Sequence, residues 1–152
     1  IRKDREITDR TEIESVIEKS MVCRLGMADE GFPYIVPLCF GYKDNTLYFH
    51  TARKGKKLDI LKKNNRVCFE FDTDCEIISG KKACQWSMAY KSVIGFGEAS
   101  FVDDPERKRH ALDIIMRHYS GADSFEYSEK ALKNTLIIKV CIQEMTGKQL
   151  EK

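Results

Sequence analysis

The residues best suited to chemistry lie between 48 and 61, in the stretch YFHTARKGKKLDIL. Strand alternation puts Tyr48, His50 and Ala52 on one face and Phe49 and Thr51 on the other. The chain then delivers Arg53, Lys54, Gly55, Lys56 and Lys57 to what reads as a helix start. Cations there oppose the helix dipole and cost roughly 0.3–1 kcal/mol each when exposed. A bound phosphate removes the conflict, because free backbone N–H groups, the dipole and the cationic side chains then face one anion. Gly55 lets the backbone approach that anion closely. On spacing alone, a solvated basic turn is the alternative. His50 stands one strand end before the turn, placed to give a hydrogen bond or proton to a bound acceptor. An ordinary strand histidine is its alternative.

A second constellation is ACQWSMAYKSVIGFGEASF, residues 83 to 101, which holds the only tryptophan, Trp86. Ser87 and Ser92 supply hydroxyl donors. Gly95 and Gly97 fall on one strand face and leave it bare, for a flat ligand or a second backbone. A barrel bend is the alternative for the glycines, and core packing is the alternative for Trp86. His110 and His118 sit eight apart in a helical segment with no carboxylate or cysteine at ligand spacing, and read as surface or structural. No metal site is expected. There is no nucleophile elbow, Walker loop, zincin motif or GxGxxG, so a hydrolase or NTPase has no local support. The six cysteines, at 23, 39, 68, 75, 84 and 141, form no CxxC, which removes the signature of a zinc ribbon or thioredoxin site. Several lie in apolar runs and are expected to be reduced, buried thiols without disulfides.

The elements that must position these residues follow from periodicity and turn signals. Asp9 reads as the N-cap of a helix over 9 to 21, with Ile13, Val16, Ile17 and Met21 at helical spacing. Strands are expected over 22 to 29, 34 to 43, 46 to 52 and 66 to 72. Gly31 and Pro33 mark a turn, Asp44-Asn45 makes a hairpin, and Pro37 points to an edge or a bulge. A short helix runs roughly from 55 to 63. After an irregular stretch at 78 to 82, a long β segment ends near Val102. Asp104-Pro105 opens a helix whose buried face is Ala111, Leu112, Ile115 and Tyr119, and Gly121 closes it. A polar loop to Lys133 leads to a last strand, TLIIKVCIQEM. Consecutive strands joined by short turns argue for an antiparallel sheet in a closed or split barrel, mainly β with flanking helices. The regular βαβ alternation of a doubly wound fold is missing.

Composition sets the frame. The 152 residues suit one domain over 1-152, with no repeat, linker or low-complexity tract. Apolar residues make up 42% and charged residues 33%, a globular balance. Twenty-six Lys and Arg against 24 Asp and Glu leave +2, which gives no reason to expect nucleic-acid binding. No apolar run approaches the ~20 residues of a membrane span. The charged opening IRKDREITDR has no apolar core of a signal peptide, so a cytoplasmic location is expected.

Five segments taken in order resemble the 5-nitroimidazole-resistance group of the pyridoxamine-5′-phosphate-oxidase-like flavoproteins. They are KDREI, VCRLGMADEGFPYIVPLCFGY, LYFHTARKGKKLDIL, RVCFEFD and ACQWSMAYKSVIGFGEASFVDDPERKRHALDIIMRHY, and they span about residues 3 to 121. The resemblance implies an FMN-binding split β-barrel of Greek-key type, a homodimer with flavin at the subunit interface. It implies the FMN phosphate at Arg53, Lys54 and Lys57, and the ring system along Val36, Pro37 and Leu38. It also implies His50, Thr51 and Ala52 on the strand lining the site, with Trp86, Ser87 and Ser92 near the pocket. The implied activity is a flavin-dependent oxidoreductase. It takes electrons from NADH or NADPH and passes them to a small oxidised aromatic acceptor, with nitroimidazole reduction as one case. A non-catalytic flavin-binding or flavin-sequestering protein and a haem-binding relative of the same barrel are the alternatives. True pyridoxamine-phosphate oxidases resemble longer chains with a C-terminal Arg-x-His-type segment. MTGKQLEK has no such motif, and oxidation of pyridoxamine phosphate is not expected.

Overall fold

Short-range signals set most of the element boundaries in the computed structural model, which describes residues 2–152. A 3₁₀ turn at Lys3–Arg5 and strand β1 (Glu6–Ile7) lead to helix α1 (Arg10–Lys19). Strands β2 (Cys23–Asp29), β3 (Phe32–Leu38), β4 (Gly41–Lys43) and β5 (Thr46–Ala52) follow. Helix α2 (Lys56–Lys63) then precedes the long strands β6 (Arg66–Ile78) and β7 (Ser87–Val102). Helices α3 (Pro105–Ser120) and α4 (Glu129–Asn134) and strand β8 (Thr135–Leu150) complete the chain. Asp9 caps α1 by accepting from the Thr11 amide, Asp104 caps α3 from Arg107, and Ser128 caps α4 from Ala131. Gly121, at φ 69°, ends α3 in the left-handed conformation. Asp44 and Asn45, at φ 49° and 59°, make the tight β4–β5 turn.

All strand pairings are antiparallel, in the order β3-β2-β6-β7-β8-β5-β4, with β1 added to β8. The end strands β3 and β4 do not pair with each other, so the sheet curls without closing and the barrel is split. Bulges between Thr73 and Glu76 and at Phe96/Gly97 help it curl. The core fills the concave side. Phe40, Phe49, Phe69, Phe71, Leu25, Leu47 and Ile138 are fully buried, roughly 1.5–3 kcal/mol of transfer free energy each. Helix α1 adds Ile13, Val16 and Ile17, and α2 adds Leu58, Ile60 and Leu61. A smaller cluster of Val102, Ala111, Ile115 and Ile137 lies under α3.

Several expectations need correction. Helix α1 stops at Lys19, and Met21 is 68% exposed rather than on its buried face. The strand expected over 34 to 43 is two strands, broken at Cys39 and Phe40, where Phe40 turns into the core. Strand β6 runs to Ile78, because it pairs with β7 beyond the barrel. Helix α4 occupies the end of what reads as a loop. The face of Gly95 and Gly97 is not bare. A Cβ on Gly95 would lie 2.1 Å from Phe69 Cζ, and one on Gly97 would lie 2.4 Å from the Cys141 carbonyl oxygen. The glycines admit core aromatic and backbone, and the expected flat ligand has no room there. All six cysteines are free, but only Cys23 is buried, since the others fall on outward positions or in exposed turns. His118 is structural: its Nε2 lies 2.7 Å from the Ser20 carbonyl and its ring packs on Phe40. Tyr119 beside it accepts from the Phe40 amide and donates to the Met21 carbonyl.

Candidate functional site

The start of α2 differs from every other α-helix start among the described residues. Its N-cap is Gly55, at φ 148°, with no side chain to accept from the first-turn amides. A Cβ built on Gly55 would meet nothing within 4 Å, so this end of the helix is open. Lys54, Lys56 and Lys57 surround it, the first two exposed and Lys57 half-buried. Among the described residues none of the three forms an ion pair, whereas Arg53 pairs with Asp103 and Lys63 with Asp29. Uncapped amides, the positive end of a helix and three unpaired ammonium groups therefore converge, the donor set an anion requires. An FMN phosphate fits that set. Lys56 also reaches over the Tyr34 ring, 4.5 Å from its centroid, which ties the turn to β3.

Strand β3 is one lip of the split, and its outer edge carries unpaired backbone. Pro33 and Pro37 are tolerated there because an edge residue can lack its N–H. Val36 and Leu38 pack inward against the core, and Pro37 is exposed. The nominated strand residues divide as alternation requires: Thr51 is buried, His50 and Ala52 are exposed. His50 sits opposite Ile137, and its ring has no hydrogen-bond partner among the described residues.

Trp86 and Ser87 are not brought to the basic turn, and Ser92, opposite Asp72, lies midway along the β6–β7 ribbon. Ser87 pairs with Ile78 at the far end of the β6–β7 ribbon, while Arg66, just after α2, pairs with Glu98 at the near end. At ~3.3 Å per residue, about 40 Å of strand separates the two ends. Trp86 is 56% exposed, so core packing is not its role either.

Sequence reasoning missed a large concavity, about 850 Å³, on the outward face of β2, β3, β6 and β7. Its lining includes Tyr34, Ile35, Cys68, Phe96, Asn64 and Arg66 and, of the positions singled out for a ligand, Gly97. Tyr34 belongs both to this wall and to the contact with Lys56, so the concavity adjoins the basic turn. The signal was present in the alternation. With Gly95 and Gly97 inward, Ile94 and Phe96 must face out. On the same face, one Arg24 nitrogen lies 3.4 Å from Glu70 and 3.1 Å from Asp72, beside Pro37 in the register. Partial burial, and then the Asp72 charge, push the Glu70 carboxyl up despite Arg24.

The chain matches the family model described as pyridoxamine 5′-phosphate oxidase over residues 9–149. Among solved structures it is similar to a candidate 5-nitroimidazole antibiotic resistance protein of Bacteroides thetaiotaomicron VPI-5482. That match has 43% identity and TM-score 0.85, and covers 95% of this chain and 86% of the other. The FAD- and haem-binding protein of Mycobacterium smegmatis shares the fold at 18% identity and TM-score 0.86, over 97% and 74% of the two chains. An FAD-binding protein of Mesorhizobium loti shares it at 24% identity and TM-score 0.70, over 97% and 98%. The curated proteins contain no match. Among the described residues, no helix is long and apolar enough to cross a membrane.

Proposed function

The chain belongs to the pyridoxamine 5′-phosphate oxidase family, and from that premise we propose that it is an FMN-dependent oxidoreductase. In this reading residues 1-152 act as one FMN-binding domain in the cytoplasm. Two copies hold the cofactor between them, and electrons pass from NADH or NADPH to a small oxidised aromatic acceptor such as a nitroimidazole. The observation that carries it is the uncapped, cationic start of α2. The amides following Gly55, with Lys54, Lys56 and Lys57, would hold the phosphate. The open edge of β3 at Val36, Pro37 and Leu38 would lie along the ring system. His50 and Ala52, exposed at the end of β5, would line the same cleft, with His50 able to donate a proton to an acceptor. When bound, FMN supplies the electron transfer itself.

The distance of Trp86 and Ser87 from the basic turn supports the dimer. These residues reach a cofactor on α2 most simply when the ribbon of a second copy lies across the cleft. Absorbance of the protein purified without added cofactor tests the reading. Flavin bands are expected, and bleaching by NADH or NADPH in stopped flow followed by reoxidation with a nitroimidazole would establish turnover. Flavin bands with no bleaching would point to a non-catalytic flavin-binding protein. A Soret band would point to haem, and failure to bind FMN at micromolar concentration would sink the cofactor assignment.

A further inference from the structure

Arg53 is a resemblance-implied phosphate ligand, yet its guanidinium is committed elsewhere. Its Nη1 and Nη2 donate to the two Asp103 oxygens at 3.0 and 2.5 Å, a bidentate fork. Its Nε donates to the Lys133 carbonyl at 2.6 Å. Asp103 is held in turn by Lys108, whose Nζ lies 2.9 Å from Oδ1. The Lys108 side chain is only 3% exposed. Its other two protons go to the Leu132 and Thr135 carbonyls, so the buried ammonium is fully satisfied. Leu132 and Lys133 lie in the last turn of α4, where the Leu132 carbonyl also accepts from the amide of the C-cap Thr135. One network thus joins the end of β5, the β7–α3 connection, α3, the end of α4 and the start of β8.

We propose that Arg53, Asp103 and Lys108 form a strut that holds the basic turn in its anion-receiving shape, with Arg53 a positioning residue rather than a ligand. Only Lys54 and Gly55 separate Arg53 from α2. Gly55, at φ 148°, has conformational freedom that other residues lack. Without an anchor immediately before it, the turn pays ordering entropy each time an anion binds. Asp103 also neutralises Arg53, which leaves the lysines to face the anion. The two guanidinium ligations, to Asp103 and to the Lys133 carbonyl, need the planar fork, which lysine cannot reproduce.

The proposal rests on the phosphate reading of α2, and the experiment separates the two. FMN and riboflavin are titrated against wild type, Asp103→Asn, Arg53→Gln, Arg53→Lys and the Asp103→Asn/Arg53→Gln double variant. Amide hydrogen exchange at residues 54–58 is measured on the same flavin-free proteins. The strut predicts that each single variant loses about tenfold in FMN affinity, within the range for coupled neighbours. It predicts that the double variant is no worse than either single, that Arg53→Lys fails to rescue, and that exchange at 54–58 accelerates. Riboflavin affinity stays level. A direct-ligand role predicts the opposite sign: Asp103→Asn frees Arg53 and tightens FMN, and Arg53→Lys keeps most affinity. That result, or unchanged exchange in Asp103→Asn, overturns the strut. Wild type binding FMN no more tightly than riboflavin overturns the phosphate reading, and exchange at 54–58 then decides the strut alone.

Discussion

Lys57 separates phosphate binding from general integrity of the pocket. A charge-assisted contact is worth roughly 1.5–3 kcal/mol, so Lys57→Ala should weaken FMN about ten- to a hundredfold. Riboflavin, which lacks the phosphate, should barely change. Folding should survive, because losing a cation from a helix N-terminus relieves an unfavourable dipole contact. Equal losses for both flavins would defeat the assignment. Asp103 makes a pH prediction. Arg53 first and Lys108 second hold its carboxyl down at about 2. A depressed carboxylate contributes stability above its unfolded value near ~3.9, and that contribution is lost as pH falls toward the folded value. The urea midpoints of wild type and Asp103→Asn should therefore differ at neutral pH and converge between about 4 and about 2. The side chain is half exposed, so added salt should shrink the gap. Among the thiols, burial and then the Glu70 charge push Cys23 well above the usual range. A maleimide should label exposed Cys39, Cys75 and Cys84 in the native protein and reach Cys23 only on unfolding, as peptide mapping would show.

Strand β7 carries the sharpest prediction among the elements. Gly95→Ala places a methyl against Phe69, a fully buried ring, and against the Glu144 carbonyl 2.8 Å away. Neither is a flexible side-chain tip, so overpacking should cost about 1–3 kcal/mol, visible as a lower denaturant midpoint. An unchanged midpoint would mean that Phe69 can move aside. The helix starts divide by function. Asp9, Asp104 and Ser128 seal α1, α3 and α4, whereas Gly55 leaves the amides of α2 free. Asp104→Ala should cost about 0.5–2 kcal/mol. The edge strand β3 combines prolines that tolerate an unpaired side with alternate residues that anchor it to the core, so its backbone stays presented without fraying.

The whole molecule leaves an apolar outward face uncovered. Ile35, Ile94 and Phe96 are exposed there, and Ile35 and Phe96 line the concavity beside the basic turn. Patches of that kind mark interaction surfaces or ligand-binding grooves. The proposed homodimer would cover it with a second copy of the same surface and bring the distant ribbon of that copy across the cleft. Sedimentation should show a dimer at micromolar concentration, and Phe96→Asp should split it and weaken FMN together. Cys68, which lines the concavity, should resist labelling in the dimer and react in the Phe96→Asp variant. A monomer with FMN bound would defeat this arrangement.

Sequence alone determined what depends on neighbours along the chain. Alternation in β5, the basic turn, the length of α2, the caps at Asp9 and Asp104 and the hairpin at Asp44-Asn45 all rest on contacts a few residues apart, and all are legible. So was the antiparallel, mainly β architecture, because short turns between strands permit little else. Tertiary structure decided everything that depends on register and on partners far along the chain. Arg53 meets a carboxylate 50 residues away, a pairing that no local pattern announces. Gly95 faces Phe69 because the pairing of β6 with β7 sets those two residues opposite each other. The continuation of that pairing to Ile78 puts about 40 Å of strand between Trp86 and the basic turn. Periodicity assigns a side chain to one of two faces, but only the curl of the sheet decides which face becomes the core and which remains for a ligand or a second copy.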